Sequence, residues 1–232
     1  GVSTVNRIVA EGITRVFGRR YAVRDVDFDW KPGAITAVIG SNGAGKSTVL
    51  GVVAGRLAAS QGNLRYGENL QESPPRNTIG FLSHASFLYR GLTCRENLQL
   101  VSDLHRLTDS NRVDEVLLQV GLKEHGNRLV SELSRGMVQR LAIGRVLLPN
   151  PGILLLDEPT TGLDDGGRRW LSETLQSLAT EGRTVVVVSH HRTFLTGMAQ
   201  HALVLRRGRT MYQGQASEAG GWDALFREYI EA

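Results

Sequence analysis

The stretch GSNGAGKS at residues 40–47 decides the fold. An apolar, partly β-branched run at 34–39 precedes it and a run that favours a helix follows at 48–53, so the sequence predicts a buried strand, a loop and a helix in succession. Glycines let a backbone wrap closely around phosphate oxygens, and a helix that begins there favours negative charge. The residues predicted to contact a nucleotide are Gly40, Ser41, Asn42, Gly43, Ala44, Gly45, Lys46, Ser47 and Thr48.

Two side chains of this phosphate-binding loop have distinct expected roles. Lys46 would reach the β and γ phosphates, and the hydroxyl of Ser47 would ligate Mg²⁺. The loop therefore predicts a nucleotide such as ATP together with Mg²⁺. Taken alone, it is compatible with kinases, GTPases and many ATPases.

The rest of the chain predicts an α/β fold around this loop. Alternating stretches from about 8 to 30 favour an N-terminal antiparallel β region, and helical spacing between about 92 and 148 favours an inserted helical subdomain. Apolar runs at 153–156, 185–188 and 202–205, separated by helix-length segments, are typical of a mostly parallel core sheet. The polar stretch 63–77 predicts a loop. We expect residues 1–232 to form one complete domain.

Composition limits the classes of protein that fit. With 41% hydrophobic and 22% charged residues, the chain is typical of a globular protein, and it has neither a run of about 20 apolar residues nor the pattern of a signal peptide. We expect a cytosolic protein, in which the lone Cys94 has no internal disulfide partner. The net charge of +4 is spread along the chain without a basic run, which favours a mixed surface over nucleic-acid binding.

Two carboxylates follow the apolar run at 153–156. The carboxyl end of a strand is where an open α/β sheet presents groups to a nucleotide, so Asp157 is predicted to hold Mg²⁺ through a water. Glu158 is placed to accept a proton from the water that attacks the γ-phosphate. An acidic strand end followed by Pro159 is also compatible with a plain turn, and the phosphate-binding loop favours the functional reading.

Three further motifs appear in a fixed order. LSRGMVQR at 133–140 resembles the signature sequence of ABC transporter ATP-binding subunits, TGLD at 161–164 resembles their D-loop, and His190 resembles their switch histidine. The resemblance covers essentially the whole chain, and it implies the P-loop NTPase fold of an ABC cassette that hydrolyses ATP. A lone histidine is more often a structural hydrogen-bonder, and the order of the motifs favours catalysis for His190.

The resemblance also implies a head-to-tail homodimer. Ser134 and Gly136 of one copy would close over the γ-phosphate held by Lys46 of the other, and Asp164 would contribute from the D-loop. Phe17 matches the aromatic that stacks on adenine in this family, with Tyr21 as the competing candidate.

Some residues depart from the family pattern. His84 stands where most cassettes carry a glutamine that reaches Mg²⁺, and we expect it to be a metal-site residue whose imidazole adds a pH dependence. The signature carries Arg135 and Met137 where glycine and glutamine are common. These features, with FLSH at 81–84 and LTCRENL at 92–98, resemble the ATPase subunit of the cytochrome c maturation haem exporter.

That resemblance implies partners and a location. The partners would be transmembrane permease subunits, which would hold the chain at the cytoplasmic face of the inner membrane. The cargo would contact these subunits and not this chain. An exporter of drugs, lipids or polysaccharide shares every catalytic motif found here and is the alternative. A soluble ABC ATPase that acts on ribosomes or DNA fits less well, because the chain has no sustained heptads for a coiled-coil insertion. A nucleotide-binding module without turnover is disfavoured by the full set of catalytic residues.

Overall fold

The computed structural model describes residues 6–67, 69, 71–74 and 78–231. Within them, strands form two sheets and α-helices pack around these sheets. The strands are β1 Ile8–Phe17, β2 Arg20–Trp30, β3 Ile35–Ile39, β4 Gln61–Tyr66, β5 Ile79–Leu82, β6 Ile153–Asp157, β7 Thr184–Val188, β8 His201–Arg206 and β9 Arg209–Gln215. The helices are α1 Lys46–Val53, α2 Cys94–His105, α3 Arg112–Gln119, α4 Arg135–Leu147, α5 Asp165–Thr180, α6 Arg192–Thr196 and α7 Trp222–Tyr229.

The larger sheet has the strand order β5-β6-β7-β3-β8-β9. Its first five strands are parallel, and β9 pairs with β8 in the antiparallel sense. Consecutive side chains of a strand point to opposite faces. In β3, Ile35, Ala37 and Ile39 therefore pack into a hydrophobic cluster on one face of the sheet, and Val38 packs into a second cluster on the opposite face. Both faces are buried, which explains why these strands read as continuous apolar runs.

The smaller sheet pairs β1 with β2 and β4, all antiparallel. The loop predicted over 63–77 is wrong for its first four residues, because 63–66 complete β4 and pair with β1 from Ile8↔Tyr66 to Glu11↔Asn63. An edge strand with one solvated face needs few apolar residues, so the polar sequence of β4 lacks the apolar pattern from which a strand is predicted. The later part of that stretch includes residues 68, 70 and 75–77, which lie outside the described residues.

A helical segment separates β5 from β6. α2 begins at Cys94 behind a capping box, in which the Thr93 hydroxyl accepts from the amide of Glu96 and the Glu96 carboxylate accepts from Thr93. α2, α3 and α4 share a hydrophobic cluster of their own that includes Leu98, Val116 and Leu141. The predicted α/β fold, with its antiparallel region, mostly parallel sheet and inserted helices, is thus present in the structure. Treating 92–148 as a distinct subdomain stays a prediction.

Among the described residues, no helix is both long enough and apolar enough to cross a bilayer.

Candidate functional site

The loop at 40–47 connects β3 to α1 in a backbone shape that depends on glycine. Gly45 has a φ of 105° and is the N-cap of α1. A Cβ at this position would lie 2.6 Å from Cγ1 of Val23 and 2.7 Å from the carbonyl oxygen of Ala22. Gly40 is equally restricted, because its Cβ would lie 2.3 Å from the carbonyl oxygen of Leu205. The loop can therefore keep this shape only with glycine at both positions.

Lys46 is the first residue of α1 and curls back over its own loop. Its Nζ donates to the carbonyl oxygens of Gly40 at 2.8 Å and Ser41 at 3.0 Å. Burial lowers the pKa of Lys46, while the charges of Glu158 and Asp157 raise it. The ammonium group thus lies in the concave side of the loop and faces the two carboxylates at the end of β6, where an anion can replace its carbonyl partners.

Two parallel strands bring the carboxylates and the histidine together. β6 and β7 are neighbours with Asp157 paired to Val188, so the residues that follow each strand meet at one edge of the sheet. Asp157 is buried and ends β6. The next residue, Glu158, has a φ of 53°, and its amide donates to the carbonyl of Val188.

Glu158 and His190 form a direct pair. Oε2 of Glu158 lies 2.8 Å from Nδ1 of His190 and 3.4 Å from the amide nitrogen of the same residue. Nearby, the hydroxyls of Thr160 and Ser189 are 3.2 Å apart and buried. The ends of β6 and β7 are thereby linked by two side-chain contacts, Glu158 with His190 and Thr160 with Ser189. These contacts hold the Glu158 carboxylate in a position where it can accept a proton, beside an imidazole that can donate or accept a hydrogen bond.

One cavity of about 660 Å³ brings most of the predicted site residues together. Its lining includes the concave side of the phosphate-binding loop, both carboxylates, His84 and His190. The predicted residues in its wall are Phe17, Asn42, Gly43, Gly45, Lys46, Ser47, Thr48, His84, Asp157, Glu158 and His190. It can therefore hold a phosphate chain on the loop, with proton-accepting groups opposite.

The predicted signature and D-loop residues Ser134, Gly136 and Asp164 do not line this cavity, although Thr161 at the start of the D-loop does. Ser134 is the N-cap of α4, and its hydroxyl accepts from the amide of Met137 at 3.3 Å. Gly136 lies beside the D-loop, because a Cβ there would be 3.1 Å from the carbonyl oxygen of Gly162. Asp164 caps α5 by accepting from the amide of Gly167 at 2.7 Å. Within one copy, Ser134, Gly136 and Asp164 therefore lie outside the cavity that the phosphate-binding loop lines.

Sequence reasoning missed part of the cavity wall. Arg20, Ala22, Thr161 and Val188 also line it, although none was predicted as a site residue. Arg20 and Ala22 flank Tyr21 at the start of β2, so their position follows from the aromatic end of the cavity. A cationic side chain next to a candidate adenine-binding ring was the available signal for Arg20.

Both candidate rings for adenine lie at the cavity. Phe17 is 48% exposed and Tyr21 is 52% exposed. Each has a guanidinium near its ring, with Arg15 at 4.7 Å from the centroid of Phe17 and Arg24 at 5.0 Å from that of Tyr21. The two rings are therefore equivalent in exposure and in cationic neighbours, and the resemblance of Phe17 to the stacking aromatic of the family favours Phe17.

We expect Phe17→Ala to weaken ATP binding about two- to twelvefold, because aromatic stacking contributes about 0.5–1.5 kcal/mol beyond burial. Tyr21→Ala is the matched control and is expected to change affinity by less than about twofold. A fluorescence titration with ATP measures both. If the larger loss occurs with Tyr21→Ala, the stacking role belongs to Tyr21.

Known proteins share both the sequence and the fold. A family model described as ABC transporter matches residues 23–161. The bacitracin transport ATP-binding protein BcrA of Bacillus licheniformis is 33% identical over 203 residues, which are 86% of this chain and 66% of that protein. The linearmycin resistance ATP-binding protein LnrL of Bacillus subtilis strain 168 is 30% identical over 215 residues, which are 90% of this chain and 69% of that protein. The chain thus spans about two thirds of the length of these relatives.

A solved structure extends the likeness to three dimensions. It is the dimeric structure of an ATP-binding cassette in a post-hydrolysis state, bound to ADP and Pi. It is 27% identical and superposes with a TM-score of 0.80 over 90% of this chain and 98% of that one. Since the family model also covers more than half of the chain, the chain belongs to the ABC transporter family, as an ATP-binding and ATP-hydrolysing cassette.

Proposed function

We propose that this chain is the ATPase subunit of an ABC exporter and that it binds and hydrolyses Mg-ATP in the 660 Å³ cavity. The proposal rests on one observation: the side chains of a lysine, two carboxylates and a histidine line the same cavity. They are Lys46, Asp157, Glu158 and His190. A cation for the phosphates, a carboxylate for the metal and a base for the attacking water are the groups that phosphoryl transfer requires.

The donor set fits Mg²⁺. This ion prefers oxygen ligands and is usually held by one or two carboxylates, a hydroxyl, waters and the phosphates of its nucleotide. The Ser47 hydroxyl and the Asp157 carboxylate supply such oxygens in the cavity wall. His84 lies in the same wall, and because imidazole is a poorer ligand than oxygen for Mg²⁺, it would act there as a hydrogen-bond partner of water rather than as a ligand of the ion. When bound, Mg²⁺ would neutralise the developing charge on the β and γ phosphates.

Each remaining side chain has a role that its position supports. Lys46 exchanges the loop carbonyls for phosphate oxygens. Glu158 accepts the proton of the attacking water, and His190 holds its carboxylate in place. The glycines and amides of the loop bind the phosphate chain, and Phe17 receives the adenine.

A second copy of the chain would complete the site. Ser134, Gly136 and Asp164 lie away from the cavity of their own copy, so they can contact a nucleotide only across an interface. The N-terminus of α4 offers a favourable dipole to the γ-phosphate. The dimeric cassette that this chain resembles supports this arrangement. Arg135 and Met137, which depart from the signature pattern, flank Gly136 at that surface.

We assign the chain to an exporter of the drug type because of the names of its relatives, in preference to the resemblance to the haem exporter. BcrA is named for bacitracin transport and LnrL for linearmycin resistance, and both names favour the alternative of a drug-type exporter over haem export. The transmembrane subunits would contact the cargo, and through them the chain would lie peripherally at the cytoplasmic face of the membrane. Neither nucleic acid nor the cargo is a proposed ligand of this chain.

Capture from native membranes tests this assignment. A tagged chain is incubated with detergent-solubilised membranes of its source, and the retained proteins are identified together with a haem spectrum. We expect a drug-exporter permease without haem. Recovery of cytochrome c maturation subunits with haem would restore the haem hypothesis, and recovery of ribosomal proteins alone would contradict the transporter proposal.

A further inference from the structure

Two turns next to the phosphate-binding loop are rich in arginine. Residues 18–25 contain the turn between β1 and β2 and the start of β2, and residues 206–209 span the turn between β8 and β9. Together they carry a single acidic residue, Asp25, and six arginines, all of them exposed. The six, which we call the arginine rim, are Arg19, Arg20, Arg24, Arg206, Arg207 and Arg209. They act as one basic surface only if the fold brings the two turns together.

Backbone contacts join the two turns to each other and to the loop. The amide of Arg24 donates to the carbonyl oxygen of Gly208 at 2.7 Å, and the amide of Gly208 donates to the carbonyl oxygen of Ala44 at 3.0 Å. Gly208 has a φ of 77°, and a Cβ there would lie 2.7 Å from the carbonyl oxygen of Ala22, so this close approach requires glycine. Main-chain atoms therefore hold the arginine rim beside residues 40–47.

Most of the charge of the arginine rim is not neutralised within the chain. Nη1 of Arg209 and Nε of Arg24 lie 3.6 Å and 3.7 Å from Oδ2 of Asp25, so one carboxylate serves two guanidinium groups. The other four arginines form no ion pair with any residue that the structure describes. Exposed guanidinium groups attract an anion without a fixed contact, because their charge acts in water over about 8–10 Å at 0.1–0.15 M salt.

The wall of the 660 Å³ cavity does not supply such an attraction itself. Its cations are Lys46 and Arg20 and its carboxylates are Asp157 and Glu158, so their formal charges cancel while the histidines are neutral. A nucleoside triphosphate carries a net negative charge even with Mg²⁺ bound. The approach of that anion is therefore favoured by charge outside the wall, where the arginine rim lies.

A second cavity continues the basic surface from the first. It has a volume of about 390 Å³, and Arg20 and Arg207 line it together with Tyr21 and residues 41–44. Four residues, Arg20 among them, line both cavities, so the two adjoin. Arg207 lines only the second cavity. It therefore lies beside the candidate nucleotide site without forming part of its wall.

We propose that the arginine rim attracts Mg-ATP to the phosphate-binding loop and thereby raises the rate constant of association. The inference rests on the proposed function, which supplies the nucleotide and the cavity that it enters. A surface with charge of one sign raises the association rate of an oppositely charged ligand about 10–10³-fold. Because Arg207 acts through its charge and not through a bond to the bound nucleotide, the rate constant of dissociation should not depend on it.

Stopped-flow binding of a fluorescent Mg-ATP analogue to Arg207→Gln tests the proposal. At about 20 mM salt, where the Debye length is about 20 Å, we expect association at least about threefold slower than in the wild type and dissociation within about twofold of it. Arg207→Lys keeps the charge and should keep both wild-type rate constants, whereas Arg207→Glu reverses the charge and should slow association at least about tenfold. Arg227→Gln is the matched control, because this exposed arginine of α7 lines neither cavity. It should bind like the wild type.

Salt and nucleotide charge separate electrostatic attraction from a change in the shape of the loop. At about 0.5 M salt the Debye length is about 4 Å, so wild type and Arg207→Gln should associate at the same rate. Mg-ADP carries less negative charge than Mg-ATP and should show a smaller difference between the two proteins at low salt. A difference that persists unchanged at high salt, or that is equal for the two nucleotides, would overturn the inference.

The low-salt rates also distinguish this inference from the proposed function. Equal association rate constants for wild type and Arg207→Gln overturn the inference and leave the proposed function standing. Faster dissociation at an unchanged association rate overturns it as well, because Arg207 would then contact the bound nucleotide. A wild-type chain that binds no Mg-ATP contradicts both.

Discussion

Glu158→Gln is expected to lower the rate of ATP hydrolysis by about 10²–10⁴-fold and to leave Mg-ATP affinity within about threefold of the wild type, since a general base contributes about that much to the rate. The side chain keeps its size and can still hydrogen-bond to His190, so the geometry around Oε2 survives while the proton acceptor is lost. A reduced turnover with retained binding is the pattern of a group that acts only in the transition state. Single-turnover hydrolysis and a binding titration measure the two quantities.

Glu173→Gln is the control for this variant. Glu173 is exposed on α5 and does not line the cavity, so the same chemical change there should leave hydrolysis unaltered. Wild-type turnover in Glu158→Gln would remove Glu158 from its proposed role. A parallel loss of affinity and turnover would instead assign it to nucleotide binding.

Gly45→Ala is expected to lower the free energy of unfolding by about 3 kcal/mol or more and to weaken Mg-ATP binding strongly. Alanine at a φ of 105° is strained, which costs about 1–3 kcal/mol. Its Cβ would also lie within 2.7 Å of the backbone carbonyl oxygen of Ala22, so the loop must move away from the shape that cradles phosphate. Urea unfolding in the absence of nucleotide measures the first effect.

Gly43→Ala separates the two causes. Gly43 also has a positive φ, 78°, but a Cβ there meets no atom within 4 Å. Gly43→Ala should therefore lower the free energy of unfolding only by the cost of alanine in a left-handed backbone conformation, about 1–2 kcal/mol. Equal losses of stability in Gly43→Ala and Gly45→Ala would contradict the close approach between the loop and β2.

The parts of the site that lie close together in the sequence could be predicted. The loop at 40–47 was identified because one short pattern specifies the strand, the turn and the helix. Asp157 and Glu158 were identified because they directly follow an apolar run of four residues, 153–156, that predicts a buried strand. Their meeting with His190 follows from the pairing of β6 with β7, which the apolar run at 185–188 indicates.

Other features depend on packing that sequence patterns do not express. β4 and β9 escaped prediction because both lie at sheet edges, and β9 has no buried residue despite pairing along β8. The arginine rim was also missed, because its two groups of arginines lie far apart in a sequence without a basic run. They form one surface only because the backbone of Gly208 contacts those of Arg24 and Ala44.

A crystal structure of Glu158→Gln with Mg-ATP tests the central claim most directly. We predict that the phosphates lie along residues 40–47 with Lys46 against the γ-phosphate, the adenine at the end of the cavity near Phe17, and the metal beside Ser47 and Asp157. A nucleotide bound elsewhere, or one whose phosphates do not contact Lys46, would contradict the account.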